Sequence, residues 1–365
     1  MNGNKSGKMI KKKFQIKNYM AQIALVILIV ISAILSKTFL LPNNIINIMK
    51  QISPTGLMAF GMTCVILTGG IDLSVGSVMA VAGIIVAQTI GSIGLVPSIL
   101  LAFLFALVTG LIFGLMITKL NVPPFIATLA GMNIWRGVAL VKTGAAAIPI
   151  VDPAFNSLGT AKVPALICYV VIAMLAVLII LSYLRGQKKQ SPIILVLSLV
   201  IIAIVIWLVA SVKGLNIQII IFLCAFCVVF FVLEKTVFGR QVYAVGGNLD
   251  AARLSGIKVN KVLSIVYMIS AFCAALCGVL TAARLGSGVP QAGQAGEMDA
   301  IAATVIGGVS MTGGVGRVTG TIVGIFLIGV LNNLLTLLGV SSDMQLIFKG
   351  AIVAGAVILD TYVKK

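Results

Sequence analysis

Long apolar runs, separated by short polar or glycine-containing segments, follow one another along almost the whole chain. A helix that crosses a hydrocarbon layer of ~30 Å needs about 20 mostly apolar residues, and most of these runs approach that length. The pattern therefore predicts an all-α fold, a polytopic integral membrane helical bundle with about 10 to 12 transmembrane helices. The predicted spans are Tyr19–Ser36, Ile52–Thr68, Val75–Ile90, Val96–Thr118, Pro124–Val141, Val163–Leu184, Pro192–Val212, Ile217–Leu233, Val262–Ala283, Met298–Ile306, Val318–Leu338 and Gln345–Leu359.

Some of these spans are too short to cross a bilayer as straight helices. The run Met298–Ile306 has about half the required length, and Ile52–Thr68 and Val75–Ile90 are slightly short. Membrane proteins place short, glycine-interrupted helices where the backbone lines a cavity, so we expect broken helices here. Residues 64–74 and 304–314 also share an apolar run followed by a Gly-Gly pair, which indicates either a parallel internal repeat or a chance match.

The composition and charge agree with a lipid environment. Hydrophobic residues make up 60% of the chain and charged residues 9%, whereas an average soluble domain carries roughly 25% charged residues. The 26 Lys and Arg outnumber the 8 Asp and Glu. Because these cations stand between apolar runs, they predict membrane orientation, with both termini cytoplasmic, and they do not indicate nucleic-acid binding.

The charge pattern also divides the chain into parts. Residues 1–18 form a basic cytoplasmic tail, residues 19–361 the membrane domain, and residues 362–365 the cytoplasmic C-terminus. The first apolar run is followed by Lys37 and not by a small-residue cleavage site, so we interpret it as a retained helix. Residues 234–261 form a polar cytoplasmic loop within the membrane domain.

This loop contains signals for a short helix. Asn248 is a common N-cap residue, Asp250 would lie in the first turn, and Gly256 would end the helix. We therefore predict a helix of about two turns over Asn248–Gly256. Its place between two spans suits either a docking element or an incidental amphipathic loop helix, and the pattern alone leaves both open.

Several kinds of chemistry are excluded by what the chain lacks. It has no His, so a His-based proton relay, a His metal site and a Ser/His/Asp triad are impossible. It has no phosphate-binding G-x-x-x-x-G-K-[ST] loop, so we do not expect it to bind ATP in the Walker manner. No catalytic residue, metal or cofactor is expected in this chain. The six Cys lie in apolar runs and are expected to be buried; Cys224 and Cys227 lack the context of a redox or zinc site.

Three motifs, in this order, resemble a known family. They are Thr68–Ser77 (TGGIDLSVGS), Ala244–Ile257 (AVGGNLDAARLSGI), and Glu297–Ala303 (EMDAIAA) followed by Ile306-Gly-Gly. They resemble the membrane permease subunits of bacterial monosaccharide ABC importers of the ribose, galactose and xylose type. The resemblance implies a non-enzymatic subunit of the cytoplasmic membrane. It also implies as partners an ABC ATPase subunit that binds the ATP, an extracytoplasmic sugar-binding protein, a second permease copy in a homodimer, and membrane lipid.

The resemblance assigns the loop over residues 234–261 to coupling with the ATPase. It also bears on the substrate, because the additional pair of runs over Pro192–Leu233 resembles the xylose and multiple-monosaccharide branch. A pentose such as xylose is therefore expected, with ribose, arabinose, galactose or a furanose-like molecule as alternatives. The residues expected to couple are Gly246, Gly247, Asn248, Asp250, Ala251, Ala252, Arg253 and Gly256.

A sugar permease needs a cavity with several weak polar contacts, which neutral side chains and aromatic faces provide. Some polar residues of the spans also suit a purely structural role. Asp72, expected near the inner face, could cap a helix by accepting a hydrogen bond from Ser74 or Val75. The neighbouring Asn332 and Asn333 could form interhelical hydrogen bonds. Arg136 is expected to reach the outer headgroups. The pathway candidates are Asp72, Thr128, Asn133, Trp135, Glu297, Asp299, Asn332 and Asn333.

Two other functions are alternatives to import by an ABC system. A secondary transporter driven by an ion gradient would need carboxylates or His near the middle of the membrane. Nearly all eight acidic residues fall at the ends of predicted spans, which disfavours that function. An integral-membrane enzyme would need a clustered nucleophile, metal or acid/base pair, and the dispersed acids offer none.

Overall fold

The computed structural model describes residues 20–185, 192–341, 343–351 and 354–355. The predicted tail (1–18) and C-terminus (362–365) lie outside the described residues, as does part of the predicted last span, Gln345–Leu359. The helices are α1 (Met20–Leu35), α2 (Pro42–Leu67), α3 (Val75–Ile93), α4 (Leu95–Lys119), α5 (Pro124–Thr143), α6 (Pro153–Thr160), α7 (Ala165–Arg185), α8 (Pro192–Val212), α9 (Ile217–Lys235), α10 (Val237–Gly247), α11 (Leu249–Leu254), α12 (Val259–Leu285), α13 (Gly296–Ile306) and α14 (Val318–Leu337). Residues 343–351 are also helical.

The predicted helical membrane bundle is confirmed. Among the described residues, α3, α4, α5, α9, α12 and α14 are long and apolar enough to cross a membrane. Helix α2 begins at Pro42, well before the predicted Ile52, because its first turns are polar and therefore invisible to an apolar pattern. Cys224 and Cys227 are exposed on α9, so their expected burial is wrong; the other four cysteines are buried.

Short strands, which the sequence analysis did not predict, lie at one end of the bundle. Strand β1 (Ile148–Pro149) pairs antiparallel with β4 (Ser287–Gly288), and β2 (Lys162–Pro164) pairs antiparallel with β3 (Gly214–Asn216). Strand β4 follows the C-terminal end of α12, and helix α11 precedes the N-terminal end of α12, so these two elements mark opposite ends of the bundle. We therefore name the two ends of the bundle the hairpin end and the α11 end.

Helix α12 lies at the centre and packs against α2, α3 and α4. Glycine lets the backbones approach closely at these contacts. A Cβ atom on Gly110 of α4 would lie 2.6 Å from Met268 Cα, and one on Gly278 of α12 would lie 2.1 Å from the Met79 carbonyl oxygen. Close approach of helices through small residues is how bundles in lipid gain packing energy.

Two interruptions of the helical pattern confirm the expected short and broken helices. Helix α2 ends at Leu67 and α3 begins at Val75, so residues 68–74 form a non-helical connection, which we call the broken segment. Gly69 within it has φ of +79°, a left-handed conformation that glycine adopts without a Cβ clash. Helix α13 has only 11 residues, too few to cross a bilayer.

Candidate functional site

A cavity of about 560 Å³ lies between α5 and the residues that precede and begin α13. It belongs to the hairpin half of the bundle, because the C-terminal half of α5 and the residues after β4 form its walls. We call it the hairpin-side cavity. Its lining residues are Met132, Asn133, Arg136, Leu140, Gln291, Gln294, Ala295 and Glu297.

Arg136 holds one wall of this cavity in place. Its Nη1 atom donates hydrogen bonds to the carbonyl oxygens of Pro290 and Ala292, the latter at 2.9 Å. The guanidinium group of Arg136 is therefore bound to the protein backbone, a contact that the sequence did not predict. Carbonyls in this non-helical stretch have no helical N–H partner, and the guanidinium group supplies the donors.

Glu297 and Asn133 are the two pathway candidates that line the hairpin-side cavity. Glu297 lies in the first turn of α13, where a negative charge suits the helix N-terminus. Its carboxylate faces α3: a Cβ atom on Gly76 would lie 2.6 Å from Glu297 Oε2. Asn133 is exposed and its amide donates to the Leu129 carbonyl at 3.1 Å.

Thr128 and Trp135, also on α5, make other contacts. Thr128 is fully buried, and its hydroxyl lies within hydrogen-bond distance of the carbonyl oxygens of Ile71, at 3.1 Å, and Pro124, at 2.9 Å. It therefore ties α5 to the broken segment. Trp135 is not among the cavity-lining residues and packs edge-on against Phe105, with ring centroids 4.8 Å apart.

Asp72 is fully buried in the bundle. Its carboxylate accepts hydrogen bonds from Ser74 N at 2.9 Å, Ser74 Oγ at 2.6 Å and Ser270 Oγ at 2.7 Å. The expected cap contact with Ser74 is present, and Ser270 adds a partner that the sequence did not predict. The broken segment turns back into the bundle, where the hydroxyl of Ser270, in the middle of α12, provides a donor.

The three remaining pathway candidates lie on α13 and α14 and are not among the residues that line this cavity. Asp299 forms an ion pair with Lys349, Oδ2 to Nζ 2.8 Å. Asn333 exchanges two amide hydrogen bonds of 3.0 Å with Asn44 of α2, an interhelical pair. The buried Asn332 Oδ1 accepts no hydrogen bond from the part of the chain that the structure describes.

The predicted helix in the polar loop is confirmed as α11. Asn248 is its N-cap, with Oδ1 accepting from Ala251 N at 2.9 Å, and Gly256 follows it with φ of +80°. Ala252 is buried, whereas Leu254 is 90% exposed. Leu254 is not among the residues predicted to couple, although an apolar side chain within a polar loop is the signal that could have found it.

Four glycines and Leu67 meet immediately beside α11. A Cβ atom on Gly246 would lie 1.8 Å from Leu67 O and 2.6 Å from Gly314 N. Gly314 N donates to Leu67 O at 2.9 Å, and a Cβ atom on Gly313 would lie 2.9 Å from Gly69 N. We call these five residues the glycine junction. It joins the end of α10 to the two glycine-rich segments that resemble each other in sequence.

Comparison with known proteins adds to this geometry. Residues 44–357 match the family described as "Branched-chain amino acid transport system / permease component". The ribose import permease protein RbsC of Bacillus subtilis (strain 168) is 40% identical over 339 residues, covering 93% of this chain and 91% of the relative. RbsC of Haemophilus influenzae is 37% identical over 358 residues, 96% of each protein.

A further relative is named for another sugar. The xylose transport system permease protein XylH of Escherichia coli (strain K12) is 34% identical over 343 residues, covering 90% of this chain and 87% of the relative. The comparison with solved structures gives no match. The similarity to the permeases therefore extends over the spans, the broken segment and α11 alike.

Proposed function

Because this chain belongs to the family of branched-chain amino acid transport system permease components, we propose that it is the membrane-spanning subunit of a binding-protein-dependent ABC importer for a monosaccharide. The relatives named for ribose and for xylose support a pentose, since both sugars are pentoses. The expectation of xylose over ribose stays a prediction. ATP hydrolysis belongs to a separate ATPase subunit, and this chain catalyses no reaction.

The observation that carries the proposal is the glycine junction. Gly246 at the end of α10 packs against Leu67, the last residue before the broken segment, and against Gly314, which follows α13. A force applied to α11 therefore reaches both irregular segments of the bundle through direct backbone contacts. The contacts of Gly246 are to backbone atoms, which cannot change rotamer when α11 moves. A displacement of α11 is therefore transmitted directly to the broken segment and to the segment after α13.

Helix α11 provides the surface on which an ATPase subunit would act. Its inner face is anchored by the buried Ala252, while Leu249 and Leu254 are 37% and 90% exposed. Two exposed leucines on a short capped helix form a compact apolar contact that fits a groove of a partner protein. The residues Gly246 to Gly256 retain the coupling role predicted from the sequence.

The hairpin-side cavity is the proposed entry for the sugar. Asn133, Gln291, Gln294 and Glu297 offer neutral amides and one carboxylate, which suit the hydroxyl groups of a monosaccharide. We place this end on the extracytoplasmic side, where a sugar-binding protein delivers the substrate. The α11 end, rich in Lys and Arg, then lies in the cytoplasm as the positive-inside rule requires, and so do both termini.

A second copy of the chain is proposed to complete this cavity. Asn133 and Gln294 are exposed and Arg136 is half-buried on one face of the bundle. Polar side chains at membrane depth are costly against lipid, so they face a water-filled space or a protein surface. A homodimer that joins these faces would enclose one pathway between two chains, while the apolar outer faces contact lipid.

The test is purification of the chain with its ATPase and sugar-binding protein, reconstitution in liposomes, and measurement of ATP hydrolysis with ribose, xylose, arabinose or galactose. We expect one of the pentoses to raise the hydrolysis rate and to be accumulated. Omission of the binding protein is the control and should abolish the stimulation. Stimulation by none of the sugars, with the binding protein shown to be saturated, would overturn the proposal.

A further inference from the structure

A second cavity, of about 320 Å³, lies at the α11 end. Small-molecule sites typically have volumes of ~300 to 1,000 Å³, so this cavity can hold a monosaccharide. Four parts of the chain form its wall: the broken segment, the connection from α4 to α5, α11 and the first turns of α12. We call it the α11-side cavity; its lining residues are Thr68, Gly69, Gly70, Ile117, Thr118, Asn121, Val122, Pro123, Pro124, Leu249, Arg253, Asn260, Leu263 and Tyr267.

The polar groups of this cavity point to a hydroxylated ligand. Tyr267 is 0% exposed, and its hydroxyl has no hydrogen-bond partner among the described residues. The hydroxyl lies against Gly70, where a Cβ atom would be only 2.4 Å from it. A buried hydroxyl without a partner raises the free energy of the protein, and a ligand hydroxyl would remove that cost. Asn121 and Asn260 are exposed and line the cavity.

The same cavity is in contact with the proposed docking helix. Leu249 and Arg253 of α11 form part of its wall, opposite Tyr267 and Asn260 of α12. A molecule held in the cavity therefore touches the element that an ATPase subunit would move. A ligand shifts a conformational equilibrium whenever it binds one state better than the other. Because α11 forms part of the cavity wall, a movement of α11 changes the shape of the cavity and therefore its affinity for a ligand.

We propose that the α11-side cavity is a second binding site for the transported monosaccharide, filled from the cytoplasmic side, and that its occupancy restrains α11 and slows import. The identity of the ligand and the direction of transport rest on the proposed function. The site is distinct from the hairpin-side cavity, and none of its lining residues is shared with that cavity. Sugar accumulated in the cytoplasm would thus inhibit its own uptake.

The experiment uses the complete complex in liposomes, with ATP and the ATPase inside and the binding protein outside. The lumen is loaded with unlabelled ribose or xylose, whichever is transported, and the initial uptake of the labelled sugar is measured. The test variant is Tyr267→Phe, which removes only the hydroxyl. Tyr169→Phe on α7 is the matched control, because Tyr169 does not line either cavity.

For the wild-type complex and Tyr169→Phe, we expect lumenal sugar to lower the initial uptake rate. For Tyr267→Phe, the lumenal concentration that halves the rate should rise roughly threefold to tenfold, which is the loss of one hydrogen bond. Asn260→Ala provides a second variant with the same expected shift if Tyr267→Phe fails to insert. Unchanged inhibition in both variants, or no inhibition of an actively importing wild-type complex, would overturn this site.

These outcomes separate the site from the proposed function. Import at an initial rate that lumenal sugar does not lower would refute the α11-side site and leave the importer intact. A complex that imports neither sugar under any condition would instead refute the proposed function. Relief of inhibition in Tyr267→Phe alone, with the control unchanged, supports both.

Discussion

Replacing Lys349 with Met is expected to destabilise the bundle, because it leaves a buried carboxylate without its partner. Lys349 Nζ lies 2.8 Å from Asp299 Oδ2, and the two side chains are only 20% and 11% exposed. Removing one partner of such a buried pair costs about 3 to 5 kcal/mol, whereas replacing both with apolar groups is close to neutral. The double variant Asp299→Leu/Lys349→Met should therefore regain most of the lost stability.

The assay is loss of helical circular dichroism as SDS is added to the protein in mixed micelles. Lys142→Met is the matched control, since Lys142 is exposed in the last turn of α5 and forms no salt bridge with any described residue. The control should change stability by no more than about 0.5 kcal/mol. If Lys349→Met unfolds at the same SDS fraction as Lys142→Met, the pair does not hold residues 343–351 against α13.

Three further predictions concern coupling and entry. Gly246→Ala should abolish sugar-stimulated ATP hydrolysis in the reconstituted complex, because its Cβ would lie 1.8 Å from Leu67 O, whereas Gly91→Ala on α3, with open space around it, should leave that hydrolysis unchanged. Leu254→Asp should release the ATPase subunit in a co-purification assay, because it places a charge in an apolar contact. Glu297→Gln should raise the KM for import severalfold, because a charged acceptor forms stronger hydrogen bonds than a neutral one.

Each of these predictions has a result that contradicts it. Equal hydrolysis by the variants at positions 246 and 91 would show that the glycine junction transmits nothing. Full retention of the ATPase by Leu254→Asp would place the docking surface elsewhere. An unchanged KM for Glu297→Gln, measured with saturating binding protein, would remove the hairpin-side cavity from the pathway.

Features set by neighbouring residues could be predicted from the sequence. The cap of α11 joins Asn248 to Ala251, and the turn after it requires Gly256, so all its determinants lie within a few positions. The shortness of α13 could likewise be predicted from the apolar pattern. Helix boundaries failed where polar residues extend a helix beyond its apolar part, as at Pro42 of α2.

Contacts between distant residues were not predictable from a single sequence. Arg136 donates to Pro290 and Ala292, more than 150 positions away, and nothing local distinguishes this from an arginine that reaches the headgroups. The Asn44–Asn333 pair is equally remote: the sequence predicts an interhelical hydrogen bond for Asn333 but does not identify its partner. Of the pathway candidates, those that line a cavity could be recognised only once the helices were assembled.

The central claim is that movement of this chain is driven by a separate ATPase through α11. The most direct measurement compares uphill uptake of the pentose by liposomes that hold the chain alone with uptake by liposomes that hold the full complex. Both are measured under imposed proton and sodium gradients, with and without ionophores that collapse these gradients. We predict accumulation only in the full complex with ATP, unaffected by the ionophores. Accumulation by the chain alone, abolished by an ionophore, would contradict the account.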